Sequence, residues 1–335
     1  MKKIALVSAY FGKLPAYFPL WLRSCEYNPT IDFYIFTNDR TFYKDVPNIK
    51  FVFMTFDELK RLAQQNYDFP ISLDRPYKLC DFKVAYGEIF KHWLNGYDFW
   101  GHCDLDQLMG NIRSFVNDEM LNSYDKIFNY GHLTIYRNNN YINSLYRHSK
   151  EMGWRPYEDV LSCPIDYAFD EVGMCHILSN CSTVRHFDRM CGMDIQWNDN
   201  YLKVEPHESK FVNSKKQIFY WEDGNVYQLQ HLEDGNIKID NAAYIHFGHR
   251  KMSYPAADFT DNNVGVYLTH NSFVPKYNTD LPTIDEIQLL NPYPGFFKEK
   301  ANDIKVFIFD IAIHKIKRKG KLLWKEIKNN AHGVR

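Results

Sequence analysis

The N-terminal hundred residues alternate between short apolar runs and longer segments whose apolar side chains recur at helical spacing. The pattern predicts strands at 3–9, 32–37 and 51–54 and helices at 15–28 and 57–65. Strands and helices that alternate with short connections indicate a parallel or mostly parallel sheet. Ligands of such sheets bind beyond the carboxyl ends of the strands, which places Tyr10, Asn38 and Asp39 near one edge. Taken singly, each of the three is better explained as an ordinary turn residue.

A longer amphipathic segment follows a loop that contains two prolines. Its apolar stripe predicts a helix over 78–94, and Asn95-Gly96 is a typical helix stop. Lys78 and Asp81 lie three residues apart and therefore share one face near the start of this helix. They form either a surface ion pair or a contact to a nucleotide.

The next predicted strand begins at Tyr97, is rich in aromatic residues and ends in two aspartates, Asp104 and Asp106. Because side chains alternate along a strand, both carboxylates are expected on the same face. Two converging carboxylates form a hard oxygen site suited to Mg²⁺ or Mn²⁺ carrying phosphate oxygens. Exposed turn aspartates are the commoner explanation of such a pair, but its position directly after an apolar strand favours a functional site.

The second half of the chain contains further alternating elements and two hairpin signals. The predicted elements are helices at 112–121, 137–152 and 163–178, strands at 126–129, 133–136 and 241–247, and tight turns at Asp223-Gly224 and Asp234-Gly235. Gly131-His132, between two of these strands, would bring the backbone close to a ligand. Residues 254–294 are polar and rich in proline and asparagine, which predicts mostly irregular structure.

Three carboxylates fall within one mostly apolar segment, at Asp166, Asp170 and Glu171. Asp166 and Asp170 lie four residues apart and would share a helix face. The helix dipole accounts for one acidic residue in a first turn but not for three. This segment is therefore a candidate source of an acid or a base.

A second polar cluster follows the predicted strand at 241–247. Two histidines, His246 and His249, lie within six residues that also hold a glycine and two cations. A lone histidine on a strand is usually a hydrogen-bonded core residue. The combination here is typical of an anion or metal–phosphate site instead.

Composition narrows the class of protein. With 40 basic and 41 acidic side chains among 335 residues, no global charge points to nucleic acid. The aromatic content of 17% is high, and aromatic surfaces often bind sugars and bases, although most of these rings must form the core. The seven cysteines lack a C-x-x-C pair, which indicates reduced thiols. The apolar N-terminal run is too short for a signal peptide and no run spans a bilayer, so we expect a cytoplasmic protein.

The C-terminal tail has a different charge pattern. Residues 315–328 carry seven basic side chains and one acidic side chain, interleaved with apolar residues. Such a segment is typical of an interfacial helix that lies on an anionic membrane. A solvated helix docked on the protein's own core is the alternative. We favour the membrane interpretation, which predicts a peripheral protein on the cytoplasmic face of the membrane.

These motifs resemble those of GT-A glycosyltransferases, Rossmann-like enzymes that use nucleotide-sugar donors. Asp104-Leu105-Asp106 after an apolar strand resembles their metal-binding D-x-D motif. The run from His246 to Lys251 resembles the H-F-x-G-x-x-K motif of glycogenin-like and lipooligosaccharide galactosyltransferase-like enzymes. In those enzymes the histidine is the third metal ligand and the lysine contacts the diphosphate.

A third similarity is the Lys78-x-x-Asp81 spacing, which resembles the helix that contacts the donor in capsular and mannosyl-type transferases. The resemblance extends from about residue 3 to residue 251. The chain as a whole is similar to uncharacterised transferases of bacterial surface-polysaccharide clusters.

The resemblance implies a mixed α/β GT-A fold, with a mostly parallel sheet flanked by helices, added β-hairpins and a helical tail. It implies a catalytic domain over 1–255, followed by a C-terminal extension over 256–335 that carries the basic helix. Within the catalytic domain, a nucleotide-binding half covers about 1–110 and an acceptor half about 111–255.

The implied reaction moves a hexosyl group from a nucleotide-sugar, such as a UDP-sugar, to a surface-polysaccharide or lipid-linked acceptor, with Mn²⁺ or Mg²⁺ as cofactor. Asp104, Asp106 and His246 would hold the metal ion, with His249 as the alternative to His246. The residues expected to contact the donor are Ala9, Tyr10, Asn38, Asp39, Lys78, Asp81 and Lys251.

The acceptor hydroxyl of an inverting enzyme needs a carboxylate base, whereas a retaining enzyme does not need one. Asp170 is the first candidate for this base, Glu171 the second and Asp166 the third. The sequence leaves the stereochemistry, the donor sugar and the acceptor open.

Two other classes of protein share some of these features. A haloacid-dehalogenase-like phosphatase also has a D-x-D after an apolar strand, but its motif normally continues with Thr or Val where this chain has Leu108. That motif also usually lies on the first strand. A non-catalytic polysaccharide-binding or membrane scaffold protein would explain the aromatic residues and the tail, but not a convergence of Asp104, Asp106 and His246.

Overall fold

Buried apolar strands and short helices alternate in the computed structural model, which describes residues 1–196, 198–206, 211–254, 265–277 and 280–294. The strands are β1 Ile4–Ala9, β2 Ile31–Thr37, β3 Ile49–Phe53, β4 Phe99–Cys103, β5 Gln107–Met109, β6 Lys126–Tyr130, β7 Leu133–Arg137, β8 His186–Phe187, β9 Met193–Asp194, β10 Gln217–Glu222, β11 Asn225–His231, β12 Ile237–Ala242, β13 Tyr244–His246, β14 Gly265–Leu268 and β15 Phe273–Lys276. The α-helices are α1 Phe18–Glu26, α2 Phe56–Gln64, α3 Leu79–Phe82, α4 Tyr86–Ile89, α5 Lys91–Leu94, α6 Asp118–Ser123, α7 Asn140–Asn143, α8 Tyr157–Leu161, α9 Met174–Ser179 and α10 Ile284–Leu290. Short 3₁₀ or π-helical segments lie at Pro76–Lys78, Lys83–Ala85, Ile112–Ser114, Leu145–His148 and Phe169–Gly173.

The central sheet has seven strands in the order β3-β2-β1-β4-β7-β6-β8. All neighbours are parallel except β7, which runs antiparallel to both β4 and β6. The fold class predicted from the sequence, a mixed and mostly parallel sheet flanked by helices, is confirmed. The two predicted halves of the main domain share this sheet.

Side chains of β1 alternate between two hydrophobic cores, one on each face of the sheet. Ala5 and Val7 pack in the core that contains α2 and the helical segments from α3 to α5. Ile4 and Leu6 pack in the core that contains α1 on the opposite face. Because both faces are covered, β1 reads as a continuous apolar run, as expected for a buried parallel strand.

Two smaller sheets complete the fold, a three-stranded one in the order β5-β13-β9 and a five-stranded one in the order β12-β11-β10-β14-β15. The predicted turn between β10 and β11 is present, and both Asp223 and Gly224 have positive φ, as a type I′ hairpin requires. The second predicted hairpin joins β11 to β12. Strands β14 and β15 extend the same sheet as β10.

The predicted single helix over 78–94 is wrong. The segment is divided into α3, α4 and α5 with 3₁₀ turns between them. Residues on nearly every side of the segment are buried, from Lys78 to Phe90, instead of one apolar stripe. Packing on all sides therefore replaces the one-sided pattern of a regular surface helix.

Two other predicted helices are divided into shorter segments. Asn117 accepts a hydrogen bond from the Met120 amide at 3.0 Å and begins α6, so the helix predicted over 112–121 is interrupted. Likewise, the helix predicted over 137–152 consists of α7 and one 3₁₀ segment. Asn139 caps the start of α7 by accepting a hydrogen bond from the Ile142 amide.

The acidic segment predicted as a helix over 163–178 becomes helical only at Phe169. Asp81 accepts hydrogen bonds from the Tyr167 and Phe169 amides, and Ala168 between them has φ 50°, a left-handed conformation. These features hold the chain out of a helix, so Asp166 lies in a loop and does not share a helix face with Asp170.

The prediction of mostly irregular structure over 254–294 is wrong for the described part, which contains β14, β15 and α10. Thr283 and Glu286 form a capping box at the start of α10. The basic segment over 315–328 lies outside the described residues. Among the described residues, no helix has the length and the apolar character that crossing a membrane would require.

Candidate active site

A cleft of about 950 Å³ lies at the carboxyl ends of β1 and β4, where ligands of parallel sheets bind. Segments far apart in sequence form its wall. They include 7–11, 103–106, 131–132, 166–171 with a gap at 169, 194–195 and 248–250, together with Lys83, Glu205 and His246. The predicted strand over 97–106 ends at Cys103, so Asp104 and Asp106 lie in the connection to β5 and not on one strand face.

The three-stranded sheet brings His246 to Asp106. Strand β13 pairs antiparallel with β5, and the amide of Phe247 donates to the carbonyl of Asp106 at 2.9 Å. As a result, His246 Nε2 lies 3.5 Å from Asp106 Oδ1. The convergence expected from the two motifs is thus present for these two side chains.

The other ring nitrogen of His246 contacts a carboxylate that the sequence did not indicate. On its second edge β13 pairs in parallel with β9, and the register places Asp194 beside His246. Asp194 Oδ1 lies 2.7 Å from His246 Nδ1. Burial would lower the pKa of His246, but the charge of Asp106 and the hydrogen bond to Asp194 raise it to about 10.

His132 stacks on the His246 ring, with ring centroids 4.3 Å apart and an angle of 18° between the planes. Ligand atoms of His132, Asp194 and His246 lie within 4.8 Å of one another, a spacing compatible with a metal cluster. However, a bound ion lies near the plane of each imidazole that coordinates it, and two nearly parallel stacked planes do not meet at such a point. We therefore interpret His132 as a support for the His246 ring.

Asp104 is ion-paired with Lys83, a residue that the sequence analysis missed. Lys83 Nζ lies 2.7 Å from Asp104 Oδ1 and 3.3 Å from Asp170 Oδ2, and it donates to the Gly131 carbonyl at 2.9 Å. Burial lowers the pKa of Lys83, but the charges of Asp104 and Asp170 outweigh it and hold that pKa well above its usual value. Lys83 thus links the D-x-D motif to the candidate base.

Asp170 is buried beside Lys83 with 4% of its surface exposed. Burial raises the pKa of this carboxyl to about 7, against the lowering effect of Lys83 and with a further increase from the charges of Glu171 and Asp104. Glu171 Oε1 accepts from the Gly131 amide at 2.8 Å. A carboxyl that titrates near neutral pH in a cleft is a suitable general base.

Asp166, the third candidate, also lines the cleft, but its carboxylate is engaged by the Arg75 guanidinium at 3.1 and 2.5 Å. A carboxylate whose two oxygens are held by an arginine is less accessible to the proton of an acceptor hydroxyl. The order of preference among the three carboxylates, with Asp170 first, therefore remains the prediction.

Ala9 and Tyr10 line the cleft, as expected for residues that follow β1. Asn38 accepts from the Gly12 amide and Asp39 from the Leu14 amide, both at 2.8 Å. These two side chains hold the loop that carries Tyr10, which agrees with the turn-residue interpretation.

Lys78 and Asp81 are buried, with 1% and 0% of their surfaces exposed. Their side chains pair at 2.6 Å, and Lys78 Nζ also donates to the carbonyls of Val160 and Ile165. These contacts occupy both side chains, so the prediction that they contact a nucleotide is wrong. They anchor the loop before Asp170 instead.

Only part of the motif from His246 to Lys251 lines the cleft. His249 is exposed and lines the cleft, but only His246 is in contact with a carboxylate of the D-x-D motif. Arg250 donates to the backbone carbonyls of Asp199 and His270, and Lys251 is exposed beside it. The geometry favours His246 over His249 as the third metal ligand.

The donor set fits a divalent ion. Asp104 and Asp106 supply hard carboxylate oxygens, and His246 Nε2 supplies a borderline nitrogen, a combination suited to Mn²⁺ and acceptable to Mg²⁺. Asp104 and Asp106 are half-buried and lie in the cleft with Asp170 and Asp194, so the cleft is acidic. Such a cleft attracts cations and would repel a free diphosphate.

The family model described as a family of unknown function (DUF6625) matches residues 6–277. No curated protein matches the chain at a significant level.

Three solved structures are similar to parts of the chain. The galactosyltransferase LgtC in complex with donor and acceptor sugar analogs is 9% identical, covers 57% of this chain and 75% of its own, and has a TM-score of 0.32. An active-site mutant of LgtC is 9% identical over 73% of this chain and 87% of its own, with a TM-score of 0.37. The apo-form glycosyltransferase GlyE in Streptococcus pneumoniae TIGR4 is 7% identical over 56% of this chain and 44% of its own, with a TM-score of 0.29. At this level of similarity, function has to be inferred from the geometry of the cleft.

Proposed function

This chain belongs to DUF6625, a family of unknown function, and we propose that it is a metal-dependent glycosyltransferase of the GT-A type. It would move a hexosyl group from a nucleotide-sugar, such as a UDP-sugar, to a glycan or lipid-linked acceptor. The observation that carries this proposal is the contact between His246 and Asp106 in a cleft that also holds Asp104 and Asp170. A carboxylate pair and an imidazole could hold the metal ion of such a transfer, and a separate carboxylate could act as the base of an inverting reaction.

Asp104, Asp106 and His246 would hold Mn²⁺ or Mg²⁺. When bound, the ion supplies positive charge to the diphosphate that leaves the donor. Lys83 keeps a fixed positive charge between Asp104 and Asp170, which offsets part of the carboxylate repulsion in the cleft.

Asp170 would accept the proton of the acceptor hydroxyl in an inverting reaction. Its pKa near 7 lets it be ionised at physiological pH and still basic enough to take a proton. Tyr10 and Asp106 line the same cleft, and burial together with the charge of Asp106 raises the pKa of Tyr10. We assign Ala9 and Tyr10 to the donor side and Asp170 to the acceptor side.

The cellular setting is a proposal of its own. The basic segment over 315–328 would hold the protein on an anionic membrane at its cytoplasmic face. There the acceptor would be a surface-polysaccharide or lipid-linked intermediate. Within the site itself, Lys251 would approach the donor diphosphate from the rim of the cleft.

Calorimetric titration with UDP tests the proposal. Wild-type protein is expected to bind UDP more tightly with Mn²⁺ than without it, and Asp106→Asn to lose this difference while its thermal unfolding stays cooperative. Asp188→Asn is the matched control, because Asp188 pairs with His186 at 2.6 Å in another Asp–His contact, away from the cleft.

Equal UDP affinity with and without Mn²⁺ in the wild type would contradict the proposal. Release of inorganic phosphate from phosphate monoesters, lost in Asp104→Asn, would support the phosphatase alternative instead. Nucleotide-sugars screened for Mn²⁺-dependent hydrolysis would then identify the donor.

A further inference from the structure

His246 has a carboxylate at each ring nitrogen, and the two carboxylates have different geometry. Asp194 Oδ1 lies 2.7 Å from Nδ1, within hydrogen-bond distance, whereas Asp106 Oδ1 lies 3.5 Å from Nε2. Only the Nε2 side faces the D-x-D motif. The two sides of the ring are therefore suited to different tasks.

The backbone fixes this arrangement from both sides. Asp194 and His246 are direct partners in the parallel β9–β13 ladder, and the amide of Ile195 donates to the His246 carbonyl at 2.8 Å. The ring of His132 covers one face of the imidazole. Rotation of the His246 ring would break the contact with Asp194 and the stack with His132 together.

We propose that Asp194 is a positioning residue that orients His246 for metal binding. Metal coordination requires the neutral imidazole, so an incoming ion would displace one of its two ring protons. With Nδ1–H still donated to Asp194, the lone pair would then lie on Nε2, on the side of Asp106. A carboxylate in this position also makes the imidazole a stronger ligand, and loss of such a partner typically weakens metal binding about 10- to 100-fold. This inference rests on the proposed function, because it concerns the same metal site.

Asp194 acts here through His246 and is not itself a ligand. In the described structure its carboxylate oxygen is on the Nδ1 side of the ring, whereas the D-x-D carboxylate is on the Nε2 side. An ion coordinated by Nε2 and Asp106 is therefore on the far side of the imidazole from that oxygen. The effect of Asp194 should depend on the presence of the His246 ring.

Calorimetric titration with Mn²⁺ alone tests this dependence. Asp194→Leu, which keeps the size but removes the acceptor, is expected to weaken Mn²⁺ binding about 10- to 100-fold. Asp194→Asn, which keeps an acceptor oxygen without the charge, is expected to weaken it by about tenfold or less, but measurably. Asp188→Leu, the equivalent change at the His186 pair, should leave the affinity for Mn²⁺ unchanged.

The His246→Ala background separates positioning from direct coordination. If Asp194 acts through the ring, Asp194→Leu has no further effect on Mn²⁺ affinity once the ring is absent. An equal loss in both backgrounds would overturn the inference and make Asp194 a ligand in its own right. Thermal unfolding of the Asp194 variants without metal shows whether the substitution destabilises the fold, as it would if the role of Asp194 were only structural.

The outcomes separate this inference from the proposed function. Loss of Mn²⁺ binding in Asp106→Asn with wild-type affinity in Asp194→Leu would overturn the inference alone. Absence of Mn²⁺ binding in the wild type would overturn both. If Asp194→Leu does not fold, wild-type affinity in Asp194→Asn is the result that overturns the inference.

Discussion

Lys83 Nζ lies 2.7 Å from Asp104 Oδ1, and this ammonium group is buried. The same group lies 3.3 Å from Asp170 Oδ2, so one lysine compensates two carboxylates from different segments of the chain. Removal of Lys83 would leave the charges of both carboxylates unpaired. The free-energy cost of removing it is therefore larger than the contribution of a single contact.

Lys83→Met is therefore expected to lower the free energy of unfolding by roughly 3–5 kcal/mol, the usual cost of removing one partner from a buried ion pair. Urea unfolding at pH 7.5 measures the change. Lys60→Met is the control, because Lys60 pairs with Asp74 at 2.9 Å on the surface, where solvent screens the interaction. Equal stability of the two variants would show that Lys83 does not compensate Asp104 and Asp170.

We predict that the protein associates with anionic membranes through the basic segment over 315–328. Replacing Lys317, Arg318 and Lys319 by Gln removes three positive charges, each worth about 1 kcal/mol at an anionic surface. Binding to phosphatidylserine-containing vesicles is expected to weaken roughly 100-fold, and the wild-type affinity should fall as salt is added. Cosedimentation measures both effects.

Two comparisons sharpen the membrane experiment. Vesicles of neutral lipid should bind neither protein, and removal of residues 304–335 should have at least the effect of the triple substitution. Unchanged binding of either variant to anionic vesicles would reject the membrane role of the basic segment.

The sequence was sufficient for the main strands and for the two motifs that meet in the cleft. β1, β2 and β4 are buried on both faces, so they are mostly apolar, and their order along the chain indicates a parallel sheet. Asp106 and His246 each belong to a local cluster of unusual composition. Each could therefore be identified as a candidate site residue from its own neighbours in the sequence.

Lys83 and Asp194 were missed because nothing in their local sequence distinguishes them from surface residues. Asp194 reaches His246 only through the register of the β9–β13 pairing, and Lys83 reaches Asp104 only through the way the 78–94 segment folds. Register and tertiary packing are not encoded in the spacing of residues along one segment.

Lys78 and Asp81 show the opposite error. Their spacing predicted a shared face and left a surface ion pair and a nucleotide contact as alternatives, whereas the pair that forms is buried against residues 160–169. Burial of a charged pair requires backbone partners from elsewhere in the chain, here including the Ile165 carbonyl and the Tyr167 amide.

The pH dependence of catalysis tests the role of Asp170. Its pKa is raised to about 7, so the carboxyl is protonated, and unable to act as a base, at lower pH. We expect kcat/KM for sugar transfer to rise roughly tenfold per pH unit below about pH 6.5 and to level off above about pH 8. Asp170→Asn should remove most of the activity and the pH dependence below neutrality.

Glu171→Gln is the matched variant for this experiment. The Gln side chain keeps an oxygen that can accept from the Gly131 amide, as Glu171 does at 2.8 Å, but it cannot act as a base. The rise with pH should therefore persist in this variant, with a change in rate smaller than that of Asp170→Asn. A pH profile that is flat in the wild type would exclude Asp170 as the base and favour a retaining reaction, which needs none.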